Sequence, residues 1–417
     1  MKHINQLTSY CLIIAVFFLP IHLNFNNIFL TCFIVLSFLL FFVNARANKW
    51  KLIKQSKWLL ALVSIPFLLN AVGLIYTDEF NEGFDYTVRA IPFLCLPLIS
   101  VTTPEVFTKN IKKLGYALFI GCLVVALFSW INAIVDIVNQ QKPWNELIGP
   151  LYSHHNLIRH LDLHAAYVSI CIYTAIGFVL LQFKTFNRQK KVFFAIAIVI
   201  LIAFMFHLLS RNAMIYFLLA SVIYLLYQKK WSILIGGFAT VILLAIGAYN
   251  VKHNYLRDRL FKSLNLLEKE TQFSKKDDRF DRLAASYEIF LNKPIIGYGT
   301  AGESKHRRLA FQQNNDKIAY ERDFNAHNQF FEYLSTFGLL GAASYLTFFG
   351  FLFFEIFKQK NGFFLYVFTG LFLACLTESI FERSQGVVYT AVSIALLISC
   401  KLYKNIDELV ELNDSQV

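Results

Sequence analysis

The sequence predicts an all-α integral membrane protein, with about twelve transmembrane helices and one large loop between the ninth and the tenth. Three observations predict it. Of 417 residues, 57% are hydrophobic and only 16% are charged, with 44 phenylalanines. Apolar runs of membrane-spanning length recur from one end of the chain to the other. Lysine and arginine are concentrated in every second connection between those runs. An apolar run of about 18 residues can cross hydrocarbon as a helix, because the helix satisfies its own backbone polar groups.

The runs, in order, are 8–22, 27–43, 58–76, 84–101, 114–138, 163–183, 192–209, 212–227, 232–250, 329–357, 362–380 and 386–402. The first follows Lys2 and has the look of a secretory signal, but no small-x-small cleavage site follows and a second run starts at Ile28. It reads as a retained first span. Pro20 falls in the first run, and Pro92 and Pro97 in the fourth. A membrane helix tolerates proline where neighbours satisfy the carbonyls it frees.

Charge then sets the orientation. One set of connections holds Arg46, Lys49, Lys51, Lys54 and Lys57; Lys109, Lys112 and Lys113; Lys184, Arg188, Lys190 and Lys191; Lys229 and Lys230; and Lys358 and Lys360. The opposite short connections hold Lys142, Arg159, Arg211 and Arg383, and the one at Asp78–Glu82 is acidic. By the positive-inside rule both termini are cytoplasmic. The formal net charge of +12 is accounted for in this way, without nucleic acid. The predicted organisation is spans one to nine in 1–250, a large periplasmic loop with short helices in 251–328, spans ten to twelve in 329–402, and a cytoplasmic tail in 403–417.

A loop that long in a compact protein has structure or purpose of its own. Its first part, Arg257 to Lys276, is charged and compatible with helix. From Arg279 to Leu291, Phe280, Leu283, Ala284 and Tyr287 recur at helical spacing. Lys293-Pro294 ends that helix, and Gly297-Tyr298-Gly299 makes a turn. The seven cysteines lie in or beside apolar runs and form no CxxC pair, which argues against structural zinc and a disulfide framework.

Four polar features fall on the predicted outer side. Ser210-Arg211-Asn212 forms a tight turn between spans seven and eight. An arginine beside hydrocarbon is costly unless it snorkels or meets an anion. Arg282 lies on the short loop helix. His327-Asn328 opens span ten, where a histidine can exchange a proton near neutral pH. Arg159-His160-Leu161-Asp162-Leu163-His164 enters span six, and the spacing puts His160 and His164 on one helix face. No acidic or cysteine ligand joins them on that face, so helix-start histidines outweigh a metal site and no metal is expected. Arginines suit phosphate oxygens through permanent, bidentate contacts. A histidine among them suggests acid or base work on a phosphate-bearing, membrane-bound substrate.

His327-Asn328 through Gly341, the segment from Arg282 to Asn292-Lys293-Pro294-Ile295-Ile296-Gly297-Tyr298-Gly299, and Ser210-Arg211 resemble the bacterial O-antigen ligase / O-antigen polymerase superfamily. The resemblance implies a metal-independent, cofactor-free glycosyltransferase of the GT-C type in the bacterial inner membrane. It would take a glycan from undecaprenyl pyrophosphate and pass it to a lipid, saccharide or protein acceptor at the periplasmic face. Carried over residue by residue, Arg211 and Arg282 would bind the pyrophosphate and His327 would be the base, with Asn328 beside it. His164, in Leu163-His164-Ala165-Ala166-Tyr167, matches a family histidine position, but the proline that often follows is absent. Arg89, before Ala90-Ile91-Pro92, matches a basic family position from which it could touch a phosphate.

Two other classes compete. A transporter or flippase would show half-to-half similarity and a charged pathway at mid-span. The chain shows no such repeat, and Asp136 and Glu378 both fall near outer ends. In a non-catalytic assembly protein the arginines would only anchor.

Overall fold

The computed structural model describes residues 2–43, 46–208, 211–231, 234–235, 279–313 and 317–414. The ninth predicted span, apart from 234–235, and the loop segment from Arg257 to Lys276 lie outside them. All regular elements among the described residues are helical.

The first half runs α1 (Lys2–Phe18), α2 (Leu23–Val43), α3 (Arg46–Gln55), α4 (Lys57–Val63), α5 (Ile65–Gly73), α6 (Phe80–Arg89), α7 (Pro92–Thr102), α8 (Pro104–Thr108) and α9 (Ile111–Asn139). Three 3₁₀ segments between Trp144 and Leu161 lead to α10 (Ala165–Gln182), α11 (Arg188–His207) and α12 (Arg211–Tyr227). The described part of the large loop holds α13 (Arg279–Asn292), α14 (Ser304–Gln313) and α15 (Lys317–Arg322). The chain ends with α16 (Gln329–Gln359), α17 (Gly362–Cys375) and α18 (Ser384–Asp414).

Seven stretches are long and apolar enough to cross a membrane: Leu23–Val43, Phe80–Thr102, Ile111–Asn139, Ala165–Thr185, Arg188–His207, Gln329–Gln359 and Ser384–Leu402. His3–Phe18, Met214–Tyr227 and Gly362–Cys375 are shorter apolar helices at the predicted first, eighth and eleventh spans. The predicted third span is two helices, broken at Ser64, whose hydroxyl donates to the Phe93 carbonyl at 3.0 Å. The described residues therefore form a multi-pass, all-α membrane protein with seven stretches of full spanning length.

The bundle has two chemically distinct ends. Gly362, at the start of α17, sits against Gln228 and Tyr224 at the end of α12, so the two packed helices run antiparallel. Arg211, which opens α12, thus belongs to the same end of the bundle as Cys375, which closes α17. His164 before α10 and His327 before α16 are brought to that end by Tyr167 and Asn328, whose side chains donate to the carbonyls of Ser379 and Leu376. The opposite ends of these helices lead into Lys184, Lys229 and Lys358, the basic connections. There Lys401 pairs with Glu355 at 2.7 Å and Lys49 donates to the Leu40 carbonyl.

Helix α16 is interrupted at Gly338, whose φ of 62° and ψ of −150° suit glycine alone. The segment after α13 fills the break. Leu339 N–H donates to the Pro294 carbonyl at 2.8 Å and Leu340 N–H to that of Ile295 at 3.2 Å. In return Tyr298 and Gly299 donate their N–H groups to the Thr336 carbonyl at 2.9 and 3.0 Å. A helix break at this depth persists because the second segment satisfies its freed backbone groups. The Pro294–Gly299 strand of sequence and the Phe337-Gly338 pair are two halves of one joint.

Candidate functional site

At the polar end the turn from Ala326 to Asn328 carries His327 on a left-handed backbone, φ 49°. Few non-glycine residues hold that conformation, and those that do often mark function. Its neighbours fix it there. The Asn325 side chain accepts the His327 N–H at 3.1 Å. Asn328 caps α16, its side-chain oxygen accepting from Phe330 and Phe331, and its amide donates to the Leu376 carbonyl at 3.0 Å.

The His327 ring faces Glu378 and Phe324. Nδ1 lies 3.0 Å from Glu378 Oε2, while Nε2 is buried with no hydrogen-bond partner. The Phe324 ring is 5.6 Å from the imidazole, centre to centre, and the Arg282 guanidinium stands over the same ring at 4.4 Å. Arg282 and His327 therefore both contact one aromatic ring, within reach of a single pyrophosphate and its acceptor.

Beneath the turn is a buried ionic lattice. Arg307 on α14 pairs with Glu303 and with Glu332, the latter at 2.7 Å, and the three side chains are at most 6% exposed. Glu332 also accepts from the Ala326 N–H at 2.8 Å and from the Ser379 hydroxyl at 3.1 Å. One carboxylate thereby ties the His327 turn to the Glu378 turn. Burial lowers the Arg307 proton affinity, but Glu332 and Glu303 more than reverse this, and it stays a cation. Burial pushes the Glu303 carboxyl up against the pull of Arg307.

The remaining sequence candidates are placed as follows. Arg89 ends α6, donates to the Glu382 carbonyl and stacks on Tyr86 at 4.6 Å, so it braces the turn that follows Glu378. His164 is N-cap of α10, packed 4.2 Å from the His155 ring. Burial depresses its pKa to about 3, against the pull of Glu378, with His155, Arg383 and His327 adding to the depression. It is a neutral imidazole at any working pH. The expectation that His160 and His164 share a helix face is corrected. His160 lies in a 3₁₀ segment, and Asp162, at φ 53°, turns the chain before α10 begins. Arg211 opens α12, but its side chain and residue Ser210 lie outside the described residues. Among the described residues no group of three His, Cys, Asp or Glu is placed to hold a metal ion.

In the sequence Glu378 is only a charge near a span end, and nothing there gives a role to Phe324, Arg307, Glu303 or Glu332. Glu332 and Glu378 carried one usable signal: a carboxylate at the edge of an apolar run is a functional candidate by default.

Fold and site define a class: a multi-pass membrane protein with a histidine and an arginine set round one ring at the mouth of its helices. Residues 196–346 match the family model described as O-antigen ligase. The match runs from α11 into α16 and takes in Arg211, Arg282 and His327, and it supports the O-antigen ligase / polymerase superfamily and an enzyme of that type. No curated protein matches the chain.

Proposed function

We propose that the chain transfers a glycan from undecaprenyl pyrophosphate to an acceptor hydroxyl at the periplasmic face of the bacterial inner membrane, as an O-antigen ligase-like glycosyltransferase without a metal. The observation that carries this reading is the Arg282–Phe324–His327 cluster, with the buried Nε2 of His327 free of any partner. In this mechanism His327 Nε2 takes the proton of the acceptor hydroxyl. The acceptor oxygen bonds to the anomeric carbon as the bond from that carbon to the phosphate oxygen breaks. Undecaprenyl pyrophosphate leaves as an anion, met by Arg282 and Arg211, with Arg89 bracing the wall beside them. Fixed cations in a partly dry cleft stabilise such a leaving group without reorganising. The large loop, 251–328, is periplasmic in this scheme, and the basic end of the bundle is cytoplasmic.

The test uses a strain lacking the gene, complemented with variants, and follows labelled glycan from lipid carrier to final acceptor. Arg211→Ala and Arg282→Ala should stop transfer and weaken donor retention. Lysine should rescue poorly, since a point charge does not reproduce a guanidinium fork. His327→Ala should slow transfer by about 10²–10⁴-fold while the lipid-linked donor is still bound. Full activity in all three alanine variants would remove the protein from this enzyme class. The identity of the accumulated product, capped lipid or unextended repeat, separates ligase from polymerase.

A further inference from the structure

Resting on that reading, we propose that Glu378 is the positioning residue of the site, orienting the His327 ring and fixing its tautomer so that Nε2 is the basic nitrogen. Nδ1 and Glu378 Oε2 are 3.0 Å apart, with the two side chains 17% and 11% exposed. A carboxylate only accepts, so the proton between them sits on the imidazole and Nδ1–H donates. In a neutral imidazole Nε2 is then unprotonated. Nε2 is also the buried ring atom left without a hydrogen-bond partner, so its lone pair is not committed to the protein.

The scaffold is built round this contact. Glu378 follows α17 and His327 precedes α16, 51 residues apart in sequence. Three further bonds tie the same two turns: Ser379 to Glu332, Asn328 to the Leu376 carbonyl, and the Phe381 N–H to Gln329 Oε1 at 2.7 Å. A chance contact between two exposed side chains would not be framed on three sides. The left-handed backbone of His327 is the kind of local strain that a surrounding structure sustains where orientation matters. As transfer proceeds the ring gains a second proton at Nε2, and the Glu378 carboxylate stabilises that imidazolium through the bond it already makes. The cluster around the pair includes His164 and Tyr167 from the start of α10, Arg383 after Glu382, and Arg282 across Phe324.

The experiment has a spectroscopic and a kinetic arm, both on the full chain. In lipid nanodiscs with ¹⁵N-labelled histidine, the His327 signals, assigned by their loss in His327→Ala, should show a protonated Nδ1 and a bare Nε2. Glu378→Gln should weaken that preference. In complemented cells Glu378→Gln should slow transfer by about 10²–10³-fold with lipid-linked donor still retained. Glu378→Asp, which keeps the charge, should recover part of the rate and serves if Glu378→Gln fails to assemble. The double variant His327→Ala/Glu378→Gln should be no slower than His327→Ala, because groups that act as one unit are not additive. An additive double variant, or an unperturbed tautomer in Glu378→Gln, would overturn the positioning role. Full activity of Glu378→Gln beside a dead His327→Ala would overturn it while leaving the base in place; an active His327→Ala would remove the base itself.

Discussion

Replacing Arg307 by alanine tests whether the ionic lattice under the His327 turn holds the site together. Arg307 is 5% exposed, and its partners Glu303 and Glu332 are 6% and 1% exposed, so little water is available to screen what remains. Removing one member of a buried pair typically costs about 3–5 kcal/mol, because the other charge is left uncompensated. A second route gives a similar figure. If a stranded carboxyl takes up a proton at pH 7 instead, shifting it from its ordinary pKa near 4.3 costs about 4 kcal/mol. Thermal unfolding of the purified protein in nanodiscs should therefore show a loss of about 3–5 kcal/mol at pH 7. The loss should shrink toward pH 5. The carboxyls left in the folded variant are raised above their unfolded values, so the folded state binds more protons and gains stability as pH falls. Transfer should fall as well, since Glu332 anchors both the Ala326 N–H and Ser379. A variant within about 1 kcal/mol of the wild type, with no dependence on pH, would refute the reasoning, because surface pairs behave that way.

Three further outcomes are expected. Gly338→Ala should destabilise by about 3 kcal/mol or more, from a backbone that only glycine adopts readily and a Cβ placed 2.6 Å from the Pro294 carbonyl oxygen, whereas Gly350→Ala, with nothing within 4 Å, should be neutral or mildly stabilising; thermal melts of the two compare them directly. His164 is held near pKa 3 against an ordinary value of 6.5, so the unfolded chain binds the extra proton between those limits and wild-type stability should decline as pH falls below about 6.5. The slope is about 1.4 kcal/mol per pH unit, and it should be absent from melts of a His164→Gln variant, so that it survives in the difference between the two proteins. Leu309, 52% exposed on α14, should when changed to cysteine react with a membrane-impermeant thiol reagent in cells whose outer membrane alone is permeable; reaction only after the inner membrane is opened would reverse the topology.

The parts of this molecule that could be read from the sequence are those fixed by local physics. Apolar runs at 27–43, 114–138, 192–209 and 329–357 recur as Leu23–Val43, Ile111–Asn139, Arg188–His207 and Gln329–Gln359, since hydrocarbon leaves the backbone no choice but helix. The loop helix from Arg279 and its stop at Lys293-Pro294 were equally legible, from apolar spacing and a proline. Ser64 and Asp162 were not. The break in the third span depends on a hydrogen bond to Phe93, and the turn before α10 on a left-handed aspartate, neither of which leaves a periodic trace.

The site divides along the same line. His327 is visible as a titratable group at the mouth of an apolar run, and Arg282 through the motif resemblance of the loop helix that carries it. What makes them a site is not. The meeting of Arg282 and His327 on the Phe324 ring, with Glu378 on Nδ1 and Arg307 beneath the turn, draws on four separate stretches of chain. A mid-span helix face is poorly suited to hold such a group, because each polar atom there would need a partner on a neighbouring helix. The turns at the bundle mouth satisfy that demand with backbone groups: the Ala326 N–H on Glu332, the Leu376 carbonyl on Asn328 and the Phe381 N–H on Gln329. The chemistry therefore collects where helices end, and the Gly338 joint lets the loop that carries Arg282 be anchored into the helix that follows His327.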